Sequence, residues 1–222
     1  MATQRTYGGV SAEQRRADRR AALLAAALDI IGTDGAGRLT VAGLCHRAGL
    51  NERYYYESFK STDEVLLAVF DEVLAAVAAV IVAAVAVAPN EPRAKARAAI
   101  AAAVEYLTDD PRRARIVFVE PLSAPVLNSR RADVERSFVA LIVGQAAEFY
   151  GPDTLSRAGA AVDFTAAYLL GGLAEVLTAW LRNDLALSRD ELIDRATDVF
   201  VLVAEQAVAP PRPAPPRRPT PG

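Results

Sequence analysis

Apolar side chains recur at helical spacing along most of the chain. Leu24, Leu28 and Ile31 stand at i, i+4 and i+7 in a run that opens at Arg15 and stops at Gly32. Residues 33–37 have the composition of a loop. Thr40 then caps a short helix with Val41, Leu44 and Ala48 on one face, and Gly49 ends it in a positive-φ conformation. Asn51 caps a second short helix running to Phe59, about eight residues or 12 Å long. Ser61 and Glu64 make the S-x-x-E pattern of a capping box, which opens a long helix through about Val87. Helical patterns follow over 92–107, 111–122, 126–150, 153–181 and 188–208, with Pro92 and Pro111 suited to first turns. No stretch alternates as a strand does, so the pattern predicts an all-α protein.

Composition changes this picture at three places. Residues 1–14 lack apolar periodicity, and 209–222 hold seven prolines, so both ends are expected to be disordered, the latter like polyproline II. Residues 73–88 are sixteen consecutive apolar positions, but half are Ala and a membrane crossing needs about 20. Asp71 and Glu72 bound one end and Pro89 and Asn90 the other, so a buried core helix is expected, with no membrane partner. The net charge of −2 conceals a split. Residues 1–60 carry nine basic and six acidic side chains, the tail adds three Arg, and residues 61–208 are strongly acidic. A basic head on an acidic body suits a protein whose head meets phosphates.

Cys45, the single cysteine, cannot form an intrachain disulfide, which fits a reducing cytosol. Together with His46, the single histidine, it falls short of the four ligands zinc takes. Neither a metal nor a cofactor is expected. No apolar leader follows the Arg-rich start. Nucleophile elbow, phosphate loop and metal cluster are all missing from the sequence, which argues against an enzyme.

The informative stretch is 40–64, TVAGLCHRAGLNERYYYESFKSTDE. It reads as a helix, a turn at Ala48, Gly49 and Leu50, and a second short helix. Leu44, Leu50, Tyr55 and Phe59 are spaced to bury against the preceding helix. Glu52, Arg53, Tyr54 and Tyr56 are left facing outward, on an element of the right length for a major groove about 12 Å wide. Arg53 can fork to guanine and Glu52 can accept from cytosine. Tyr54 can pack on a thymine methyl or hydrogen-bond a phosphate, while Thr40, Tyr56 and Lys60 carry donors for phosphates. Successive helix positions diverge by about 100°, so at least one of Tyr54, Tyr55 and Tyr56 must face out.

This stretch resembles the N-terminal signature of the TetR family of regulators. Thr40, Val41, Leu44, Ala48, Gly49, Leu50, Tyr55, Tyr56, Phe59, Ser61 and Leu66 stand at matching positions. The resemblance implies a helix-turn-helix DNA-binding domain over 15–60 and a helical ligand-binding and dimerisation domain over 61–208. It implies a one-component regulator, a repressor by family default, bound as a dimer to a palindromic double-stranded DNA operator. Tyr56 would contact a phosphate, and Glu52, Arg53 and Tyr54 would read bases. Three positions depart from the pattern. Asn51 replaces the cap Ser, Ser58 replaces Tyr or His, and Thr62 replaces a phosphate-contacting Lys whose work Lys60 can share in part. The candidate DNA-contacting set is therefore Thr40, Asn51, Glu52, Arg53, Tyr54, Tyr56, Ser58 and Lys60. Asp110-Pro-Arg-Arg-Ala-Arg and the region from Leu170-Gly-Gly-Leu to Ser188-Arg-Asp-Glu-Leu are similar, more weakly, to members with large regulatory domains.

In the body, Leu169, Leu173, Val176, Leu177 and Trp180 line one late helix, and Leu192, Ile193, Ala196, Val199, Phe200 and Val203 line the last. One subunit has too little surface to cover both stripes, and the resemblance implies a four-helix bundle between two copies. Gly171 and Gly172 are read as allowing a close approach of helices, or a kink beside a cavity. A small-molecule effector is implied too, with Tyr106, Phe118, Phe138, Phe164, Tyr168, Glu175 and Trp180 as candidate pocket residues. Glu120 and Asp163 stand out as acids in apolar surroundings. A rival reading is a helical interaction or dimerisation module whose DNA-binding head no longer functions.

Overall fold

The computed structural model describes residues 11–209; most of the two ends expected to be disordered lies outside them. Ten α-helices make up the described chain: α1 (Ala12–Asp34), α2 (Val41–Ala48), α3 (Glu52–Tyr56), α4 (Thr62–Val87), α5 (Pro92–Asp109), α6 (Pro111–Phe118), α7 (Pro125–Tyr150), α8 (Pro152–Ala158), α9 (Ala160–Leu181) and α10 (Arg189–Val208). No strand occurs among the described residues. The all-α reading holds.

Local chemistry sets most of the helix starts. Ser11, Thr40, Asn51, Ser61 and Ser188 each accept a backbone N–H of the first turn through the side chain. Ser11 moves the start of α1 to Ala12, inside the 1–14 segment expected to be disordered. The box at Ser61 is shifted: Ser61 Oγ accepts from Glu64 N, but the Glu64 carboxylate accepts from Lys60 N rather than from Ser61 N. The complete reciprocal box is at Ser188 and Glu191.

Two glycines depart from expectation in opposite directions. α1 runs through Gly32 to Asp34, where Gly35 ends it with a positive φ. A side chain at Gly32 would collide with Arg112, whose Cβ lies 2.3 Å from the place a Cβ would take, so this glycine lets α6 sit against α1. The 153–181 pattern, expected as one helix, breaks at Gly159, with φ 55° and ψ −135°, into α8 and α9. The 111–122 pattern also divides, into α6 and a 3₁₀ turn at Glu120–Leu122.

The largest core cluster joins α1, α2 and α3 to the first half of α4, with Ile116 of α6 and Leu127 of α7. α4 carries eight buried residues and packs against α1, α5, α6 and α7. Within the apolar run 73–88, Val73, Leu74, Val77 and Val85 are buried while Val82 and Val87 are exposed, so the run is only partly covered within this chain, short of the buried core helix expected. Two smaller clusters lie further into the body. One joins α5 to α9 and α10; the other joins α4 to α5.

Candidate nucleic-acid interface

α1 is the platform on which the head is built. Leu23, Ala27, Ile30 and Ile31 are buried against α2 and α3, where Leu44, Tyr55 and Phe59 are almost fully enclosed. Thr40 Oγ1 accepts from Gly43 N at 3.1 Å and starts α2. Gly49 turns the chain in the left-handed region, at φ 65° and ψ 31°. Asn51 Oδ1 then accepts from Tyr54 N at 3.2 Å. α3 is only five residues long. Hydrogen bonds from Phe59 N to Tyr55 O and from Glu57 N to Arg53 O carry its curl to the expected end.

The three consecutive tyrosines divide as helical geometry demands. Tyr55 is wholly buried, edge-on to Tyr56 and tilted against Phe59. Its hydroxyl has no hydrogen-bond partner, and burial raises the phenol above its ordinary pKa. Tyr56 is 61% exposed. Tyr54 is half-buried, with the Arg19 guanidinium 4.3 Å above its ring, so it presents less free surface than an outward base reader would.

The remaining candidates are placed as follows. Glu52, Asn51, Thr40 and Lys60 are exposed. The Arg53 side chain is 84% exposed, held lightly by Glu57 one turn on at 3.2 Å. Ser58 departs from the expected set, because its hydroxyl is shut away from solvent without a partner. Cys45 is buried inside α2, and burial first, with Glu52 nearby, raises its thiol pKa, so it packs as an apolar group.

Sequence reasoning missed the brace behind α3. Arg16 donates to Glu57 O, Arg19 reaches the Glu57 carboxylate at 3.4 Å, and the Arg20 guanidinium lies 4.3 Å from the centre of the Phe59 ring. The signal was the spacing of Arg16, Arg19 and Arg20 on α1, which puts them along the side that meets α3.

A second constellation seams the head to the body. Asp29 of α1 pairs with Arg47 of α2 and, at 3.1 Å, with Arg112 of α6. Arg112 is itself aimed by Asp110, whose carboxyl it holds below the ordinary carboxylate pKa. Glu120, 3% exposed, accepts from Arg115 Nε at 2.9 Å and from Ala36 N at 2.9 Å. Arg115 donates onward to Thr33 O. The acid in apolar surroundings is therefore a clasp between body and head.

The body holds a cavity of about 200 Å³ between α4, α5, α7, α9 and α10. Of the candidate pocket residues, Phe138 lines it. Tyr106 packs beside the α4–α5 cluster with Arg113 over its ring, and Phe118 fills space between the two smaller clusters. Trp180 is packed there too, its Nε1 donating to Leu187 O at 2.7 Å. Phe164, Tyr168 and Glu175 are exposed on α9 instead, as is Asp163. A Cβ added at Gly171 or Gly172 would meet nothing within 4 Å among the described residues, so these glycines do not serve a close helix approach within this chain.

No protein-family model matches the chain, and neither does any curated protein. Solved structures do. The fatty acid degradation regulator FadR from Bacillus halodurans superposes with a TM-score of 0.69 at 18% identity, covering 82% of this chain and 97% of its own. FadR from Bacillus subtilis, in complex with stearoyl-CoA, gives 0.65 at 17%, covering 83% and 97%. A TetR-like transcriptional regulator from Rhodococcus sp. RHA1 gives 0.59 at 15%, covering 86% and 95%. This chain has the fold of the TetR-type regulators, a small helix-turn-helix head on a larger helical body.

Proposed function

We propose that the protein is a dimeric, cytosolic transcriptional regulator that binds a near-palindromic operator and responds to a small apolar effector. The observation that carries this is the division of α3. Tyr55 and Phe59 bury its inner side, while Tyr56 and Arg53, the latter paired with Glu57, stand exposed behind a left-handed glycine turn. In the proposed roles Arg53 reads a base, with Glu52 beside it and Tyr54 as a partly shielded neighbour. Tyr56, Thr40 and Lys60 hold phosphates, and Asn51 sets the start of the recognition helix.

Dimerisation is supported by the outer face of α9 and α10. Phe164, Tyr168 and Val176 follow one another at helical spacing with Gly172 among them, and Val199 and Leu202 stand beside them on α10. All five are more than a third exposed, an unusual expense of apolar surface for a lone subunit. A second copy covering that face would set two heads about 34 Å apart on one side of a duplex. The apolar cavity and the stearoyl-CoA bound by the Bacillus subtilis neighbour support an effector with an apolar portion. Binding would act by favouring the body conformation whose heads are wrongly spaced.

Selection of bound fragments from random DNA, followed by gel shifts, tests the reading. Arg53→Ala should weaken the selected operator by about 1–3 kcal/mol and relax specificity at one position of each half-site, with the fold intact. Recovery of no specific DNA would leave the dimerisation-module reading in its place.

A further inference from the structure

The cavity wall is apolar almost throughout. Lys95, from the second turn of α5, is its single charged side chain among the described residues. The two arginines that flank Lys95 are spoken for: Arg93 pairs with Asp198 and Arg97 with Asp194 at 2.9 Å, both on α10. Lys95 has no acid partner. Its Nζ makes one long hydrogen bond, 3.3 Å, to Val85 O in the last turn of α4. An ammonium has three donors, so two remain for a guest. A cation half-buried in an apolar wall favours an anionic guest, because a charge-assisted bond is stronger there than a neutral one.

The wall also gives the guest an orientation. Lys95 and Pro92 stand near the turn between α4 and α5, at the end of the body where α7 finishes with Phe149 and Tyr150. Ala103 and Phe138 line the cavity further in, and Phe138 also packs on the cluster that extends into the head. The volume, about 200 Å³, exceeds that of an apolar cavity of about 150 Å³ that holds benzene. That accommodates the body of a medium-length chain.

We infer that the cavity takes a straight apolar chain ending in a single carboxylate, with the carboxylate on Lys95 and the tail directed at Phe138. This rests on the effector role proposed above and narrows it. One unpaired cation suits a monocarboxylate and does not suit the several phosphates of a coenzyme A thioester, since Arg93 and Arg97 are already neutralised.

Calorimetric titration of the full chain with decanoate, decan-1-ol and decanoyl-CoA tests the inference. Decanoate should bind about ten-fold or more tightly than decan-1-ol, and more tightly than decanoyl-CoA. Lys95→Met should abolish the preference for acid over alcohol while leaving the alcohol's affinity in place. Equal binding of acid and alcohol by the unmodified protein would overturn the inference. So would binding of decanoyl-CoA alone, a preference that survives Lys95→Met, or no binding of any of the three. Gel shifts are run separately. Failure to bind any operator sinks the regulator reading but leaves the titration result standing, and a bound operator that decanoate does not release rejects only the link between site and head.

Discussion

α4 and α7 are both 26 residues long, cross the same body and lie against one another, yet they are packed in different ways. α4 buries eight residues, most of them in its first half, where the head core extends onto it. α7 buries only Leu127, at its start, and its later apolar side chains, among them Leu141, Ile142 and Phe149, face the cavity. The near end of the molecule is fixed by side chains filling space and by clasped charges. The far end is held by surfaces that leave room. Under the regulator role proposed above, the tightly filled head would be the reader and the loosely filled body the sensor.

The largest test of that contrast is truncation. Phe70→Ala, in the filled part of α4, should cost about 3–5 kcal/mol in denaturant unfolding. Leu141→Ala, on the cavity side of α7, should cost less than about half as much, because its atoms leave space that is already open. Equal costs would erase the distinction.

Charges give the next test. Arg115→Ala takes the cation from the almost wholly buried Glu120 carboxylate, leaving it Ala36 N alone among its side-chain partners, and should destabilise by about 2 kcal/mol. Arg93→Ala breaks an exposed pair at the other end and should leave the melting temperature unchanged. A loss with Arg93→Ala matching that of Arg115→Ala would mean that the two ends are held alike.

The smallest effect is one of pH. Arg112 lowers the Asp110 pKa in the folded state relative to the usual 3.8. The unfolded chain therefore takes up the proton first. The stabilisation is fully present above about pH 4 and disappears as the pH falls through the lowered folded value. Stability curves between pH 2 and 6 should show an acid loss that Asp110→Asn reduces. An unchanged acid limb in that variant would remove Asp110 from the seam.

What the sequence revealed of this followed the range of the forces involved. Caps are decided within four residues, so Thr40, Asn51, Ser61 and Ser188 located helix starts with little error. The tyrosine run was legible for the same reason, since helix geometry alone forces the three apart. Gly32 and Gly159 could not be told apart locally. One stays helical and gives room to Arg112, 80 residues away, and the other leaves the helix at a positive φ. Similarly, Glu120 was visible as an acid in apolar surroundings, but its partner at Ala36 N lies 84 residues off. Aromatic size was a poor guide to the cavity. Phe118 and Trp180 fill core instead, and Phe164 lies outside, whereas the wall is largely Ala, Val, Leu and Ile.

The open space beside α7 makes the body compressible. Voids eliminated on unfolding lower the volume of the unfolded state, so hydrostatic pressure acts on them directly. Under pressure α7 should lose its native contacts while Tyr55 and Phe59 are still enclosed, and a chain occupying the cavity should raise the pressure at which that happens.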